Sequence, residues 1–173
     1  MDIESNTVLN DNNPDTGNAS GKLDFSDCPH INPDTYLATD FLNHFNEIIM
    51  LVEMLPQLDD VYADIVAWEA ISYEQHFQLT GFAYSPLAIE AYKQAPKEIR
   101  EKFDALISDI NHTIIAGRQE IIEAFEKEDR EALIYKSLQI TNDLRSMIDK
   151  ASAIINGSYK SAQDQADTIF ESL

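Results

Sequence analysis

The stretch IREKFDALISDINHTIIAGRQEIIEAF, residues 99–125, decides the fold. Its apolar residues Ile99, Phe103, Leu106, Ile110, Ile114, Ile121 and Phe125, with Gly117 among them, recur at steps of three and four. That is the period of an α-helix with one apolar face. Ile115 and Ile122 widen the face, and a face so broad suits contact with two neighbours, as in a helical bundle. Pro96 stands where a helix opens, and the polar run Glu126–Asp129 reads as a turn, with Asp129 capping the next helix. That helix carries Leu133, Ile140, Leu144, Met147, Ala151 and Ile155 on one stripe. Gly157 is placed to end it, although the spacing continues through Ala162 and Ile169.

On the N-terminal side, Asn32-Pro33-Asp34 has the order of a helix start: a capping side chain, proline at the first turn, and an acid on the positive end of the dipole. Phe41, Phe45, Ile48, Val52 and Leu55 then mark a third apolar stripe, which Pro56 stops. Asp59 or Asp60 is expected to cap a shorter helix bearing Val61, Ile65 and Trp68. Ser72 and Gln75 make a capping box, Gly81 breaks that piece, and Ser85-Pro86 begins another short helix through Tyr92. The fold class expected is therefore all-α: an up-and-down bundle of three long helices, completed by shorter helices in an aromatic-rich crossover.

Residues 1–30 are rich in Asn, Asp, Ser, Thr and Gly and show no period, so they cannot bury enough surface to offset the entropy of ordering. They are expected to be a disordered acidic tail before a single domain over 31–173. The chain has 31 acidic and 12 basic residues, net −19, and the first 96 residues contain only Lys22 and Lys93 as bases. Such a field repels nucleic acid and anionic lipid and is compatible with a basic protein partner. The lone cysteine, Cys28, excludes an intrachain disulfide and a cysteine-based metal site. No apolar run reaches the length of a membrane span, and the N-terminus lacks the charge and hydrophobic pattern of a signal peptide. A cytoplasmic protein is the expectation.

Chemistry is sparse. No glutamate has a histidine three residues on, which is the spacing of carboxylate-bridged dimetal bundles, and there is no His-Glu-x-x-His pattern. His44 and Glu47 share a helix face with Asp40 one turn back and are the weak alternative for a metal, but no cofactor is expected. Five glycines, two of them in the tail, cannot build a phosphate-binding loop. His112 lies opposite its helix's apolar stripe and should face solvent. The segment His112-Thr113-Ile114-Ile115-Ala116-Gly117 resembles the motif of histidine-containing phosphotransfer domains. Those are acidic four-helix bundles with a solvent-facing phosphorylatable histidine, and the resemblance implies that role for His112. The family's lysine and glycine, three and four residues after the histidine, are replaced here by Ile115 and Ala116.

Tyr62, Trp68, Tyr73, Phe77, Phe82, Tyr84 and Tyr92 gather much of the chain's aromatic content in the crossover. They either plug one end of the bundle or form a recognition surface, since Trp and Tyr anchor interfaces. The candidate binding residues are Trp68, Tyr73, His76, Phe77, Phe82, Tyr84 and Arg118. Arg118 is flanked at three and four positions by Ile114, Ile115, Ile121 and Ile122, so its guanidinium either snorkels to water or meets a carboxylate from another helix; a pair with Glu47, Glu53 or Asp143 is expected. The expected function is non-enzymatic binding of another protein, as a regulator or adaptor. Phosphotransfer through His112 and acidic mimicry of DNA are the alternatives, and the oligomeric state is left open, a homodimer included.

Overall fold

Residues 28–159 are described by a computed structural model. They form six α-helices and no extended strand: α1 (Asn43–Met54), α2 (Tyr62–Ala67), α3 (Tyr73–Thr80), α4 (Ser85–Gln94), α5 (Lys97–Glu126) and α6 (Arg130–Ile155). Residues 1–27 and 160–173 lie outside the described part, and with them most of the expected tail and the spacing through Ala162 and Ile169.

Helices α5 and α6 pack along their length. Gly117 faces Ile140, Lys136 pairs with Glu120, and Thr113 lies 3.7 Å from Met147 Sδ. The numbers fall on α6 as they rise on α5, so the two helices are antiparallel. Asp129 caps α6 by accepting from Ala132 N, as its position predicts. Helix α1 also packs on α6, with Glu53 paired to Arg145, and Asp59, in the 3-10 turn beyond α1, lies 3.7 Å from Arg130. It too is antiparallel to α6, so α1 and α5 run in one direction, and the α2–α4 crossover carries the chain back between them. The expected stripes fill the shared core: Phe41, Phe45, Ile48, Val52, Leu55, Phe103, Ile110, Ile114, Ile121 and Leu144 are all buried. Among the described residues, no helix is long and apolar enough to cross a membrane.

Two local expectations are corrected. Residues 32–34 do not open a helix. The Asn32 side chain accepts from Asp34 N and Thr35 N, as a cap would, but Tyr36 then enters the left-handed region at φ 61°. Thr35 Oγ1 meanwhile donates to Ile155 O at 2.6 Å and ties the loop to the end of α6. The helix is delayed to a 3-10 turn at Thr39–Leu42, which leads into α1. Residues 28–30, counted with the tail, pack on the body: Cys28 is buried, and His30 stacks on Tyr84 at 4.4 Å.

Candidate functional site

The α3 capping box forms as expected, with Ser72 and Gln75 bonding reciprocally, and sets the start of α3 against α5. Tyr73 is the first residue of that helix. Its ring stacks on Tyr92 at 4.6 Å and lies 5.1 Å from Phe41, and its hydroxyl accepts from Ala38 N at 2.8 Å. Burial pushes its phenol far above the ordinary tyrosine range. Tyr92 in turn donates to Asp104 at 2.7 Å, and burial and this bond raise its phenol as well.

These aromatics wall one side of a groove of about 400 Å³ whose other side is α5. Phe41, Phe103 and Ile107 make an apolar floor; Asp104, Ser108, Asn111 and His112 make a polar margin. Asn111 Oδ1 is buried without a hydrogen-bond partner. Ile115, expected on the core face, is 51% exposed at the end of the groove. The reason is phase: one step beyond Ile114 turns a side chain by about 100° on a helix, and none of the described helices covers that side.

His112 faces solvent, as its position predicts. Its Nδ1 lies 2.8 Å from Ser108 O, so Nδ1 carries the proton and donates, leaving the Nε2 lone pair outward. The remaining candidates are mostly core. Trp68, His76 and Phe77 are buried and brace the crossover against α1. Phe82 and Tyr84 lie nearer the surface, stacked on each other at 5.4 Å, with Tyr84 donating to Asp40 and His30 3.6 Å from the same carboxylate. Burial first, and then the Asp40 bond, raise the Tyr84 phenol.

The metal alternative does not assemble. His44 Nε2 lies 3.0 Å from Glu69 O and donates to it, and its ring stacks on Trp68 at 4.7 Å, so the nitrogen is already engaged. Among the described residues, no group of three or more His, Cys, Asp or Glu is placed to hold a metal. The carboxylate expected for Arg118 is also corrected. Its guanidinium donates to the Trp68 carbonyl, and Glu53 is held by Arg145 instead. Trp68 ends the six-residue helix α2 in an extended conformation, and its carbonyl turns toward α5, where the neutral acceptor meets the cation. Arg118→Met should therefore cost about 1.5–3 kcal/mol in urea unfolding, the scale of a charge-assisted bond. Unchanged stability would show that this link contributes nothing.

His44 and His76 have pKa values lowered by burial. Each therefore takes up its proton at a lower pH in the fold than in the unfolded chain, which protonates both below about pH 6.5. The unfolded state binds more protons there, so stability should fall as the pH drops below that value. His76→Gln should flatten the slope between about pH 6.5 and 5; an unchanged slope would mean that His76 does not titrate differently on unfolding.

The groove was partly legible in the sequence. Asp104, Ile107, Ser108, Asn111, His112 and Ile115 repeat at three and four residues beside the core stripe, but only the arrival of Tyr73 and Tyr92 makes that row a groove wall. No protein-family model, curated protein or solved structure matches the chain.

Proposed function

We propose that this protein is a non-catalytic binding module, a regulator or adaptor, built as a helical bundle in which the α2–α4 crossover lets α1 and α5 run in one direction against α6. It recognises another protein through the α5 groove. The observation that supports this reading is the groove's composition: an apolar floor, a half-exposed Ile115 at its end, and the buried, unpartnered Asn111 Oδ1 on its margin. An apolar partner side chain placed there covers Ile115 and the half-buried Ile107 and Tyr92, and a donor beside it satisfies the asparagine oxygen. The test is affinity capture from the native host with the wild type, Ile115→Asp and Phe82→Ser. A partner lost by Ile115→Asp and kept by Phe82→Ser supports the groove. A partner kept by Ile115→Asp sinks it.

Phosphotransfer is the second reading, favoured by the outward Nε2 of His112. Incubation with a phosphorylated response regulator should then give acid-labile label that His112→Gln abolishes. Absence of label from the wild type removes this reading. The DNA-mimic reading needs a regular row of free carboxylates, and that row is broken where Glu53, Asp59, Glu98, Glu101, Glu120 and Glu123 pair with neighbouring bases.

A further inference from the structure

Residues 23–92 contain twelve Asp and Glu and no Lys or Arg, so every helix from α1 to α4 up to Tyr92 is free of lysine and arginine. The bases of α6 that reach this half, Arg130 and Arg145, are already held by Asp59 and Glu53. These two links hold the end of α1 and the 3-10 turn after it alongside α6, and exposed apolar side chains stand on both elements. Met50 and Met54 flank Glu53 on α1 and are 53% and 38% exposed, with Leu58 next at 40%. Ile134 and Leu138 share the Arg145 face of α6, by helical spacing, and are 44% and 58% exposed. At the Leu58–Ile134 end lies a cavity of about 520 Å³ lined by Asp59, Glu126, Glu128 and Asp129. Arg130 is the one base on its wall among the described residues, and Tyr62 donates to Glu126 there.

We propose that these apolar side chains together form a seam that is a second docking surface, and that its occupant is a basic amphipathic helix of another protein. The apolar face of that helix lies on Met50, Met54, Leu58, Ile134 and Leu138, and a Lys or Arg at its end enters the carboxylate-lined cavity. Methionines suit such a role because their unbranched, polarisable side chains repack around different apolar residues. Charge selects the occupant. Four carboxylates against one guanidinium give the cavity a net −3, and a cationic helix is drawn to it. A second copy, with the same net −19, and an anionic membrane surface are both repelled. With the groove on α5, the molecule then has two binding faces, as an adaptor requires. The seam extends the binding reading and does not depend on the groove.

The probe is a labelled peptide of about 18 residues, five helical turns, with leucines on one face and lysines on the other. Binding to the full chain is read by fluorescence anisotropy. The peptide should bind and weaken at high salt, while a scrambled isomer and a leucine–glutamate counterpart should bind about tenfold more weakly or not at all. Leu138→Asp and Met54→Asp should each weaken binding about tenfold, and Glu128→Lys should reduce both affinity and salt dependence. Ile115→Asp, in the groove, should change nothing. Equal binding of the scrambled isomer would reduce the effect to bulk charge and overturn the proposal. So would loss of binding in Ile115→Asp alone, or full binding by Leu138→Asp in a chain that remains folded by circular dichroism. Light scattering provides the remaining arm: a dimer of the free protein that Leu138→Asp dissolves would assign the seam to a second copy and overturn the proposed occupant. Failure here with a positive groove test leaves the binding reading standing.

Discussion

Phe41→Ala is expected to remove about 3–5 kcal/mol of folding stability, and the floor of the α5 groove with it. Phe41 is fully buried at the turn that leads into α1. Its ring lies 5.3 Å from Phe45, 5.1 Å from Tyr73, 5.5 Å from His76 and 6.0 Å from Phe103, so it joins α1, α3 and α5. Truncation loses the transfer energy of the ring and the aromatic pairings, and leaves a cavity that three helices cannot collapse together. Domains of this size have about 5–15 kcal/mol in total, so the variant should show a much lower urea midpoint. Phe41→Leu keeps most of the volume and should cost about 1–2 kcal/mol. A loss below about 1 kcal/mol for Phe41→Ala would show that the crossover is not held to the bundle through this ring.

Gly117→Leu is expected to cost about 3 kcal/mol or more. A Cβ at Gly117 would collide with Ile140 Cδ1 and stand 2.8 Å from its Cγ1 and 3.3 Å from its Cβ. Helices α5 and α6 therefore approach here through the absence of a side chain, and a larger residue must push them apart or displace Ile140. The conformational preference runs the other way, since alanine favours a helix interior over glycine by about 1 kcal/mol. That opposition makes a double-mutant cycle informative. Gly117→Ala alone should destabilise, whereas Gly117→Ala in an Ile140→Ala background should stabilise by about 1 kcal/mol relative to Ile140→Ala. Equal effects in both backgrounds would mean that the two positions are not coupled.

The same glycine shows where sequence reading stops. Gly117 falls in register with the apolar stripe, which locates it on the packing face but not the side chain it faces. Arg118 is parallel: four surrounding isoleucines set its stem on apolar surface, yet its acceptor is a backbone carbonyl fifty residues away, which no charge pattern encodes. Asn32 keeps its capping chemistry, but Thr35 finds a better anchor at Ile155 O, and the helix start moves. Asn156 and Gly157 close α6 beside that anchor, as the position of Gly157 predicts.

The features that the chain determined alone were local and periodic. Stripes at three and four residues, the Ser72–Gln75 box, the Asp129 cap and the proline at the start of α4 each depend on neighbours within one or two helical turns. All of them appear where the sequence puts them. Tertiary structure alone decided which side of each helix stayed uncovered. Ile115, Met54 and Leu138 are as apolar as their buried neighbours, and their exposure comes from lying on sides of their helices that no described element covers. The groove and the seam are therefore properties of packing between distant segments, because burial is settled by the geometry of neighbouring helices and not by the hydrophobicity of the residue itself.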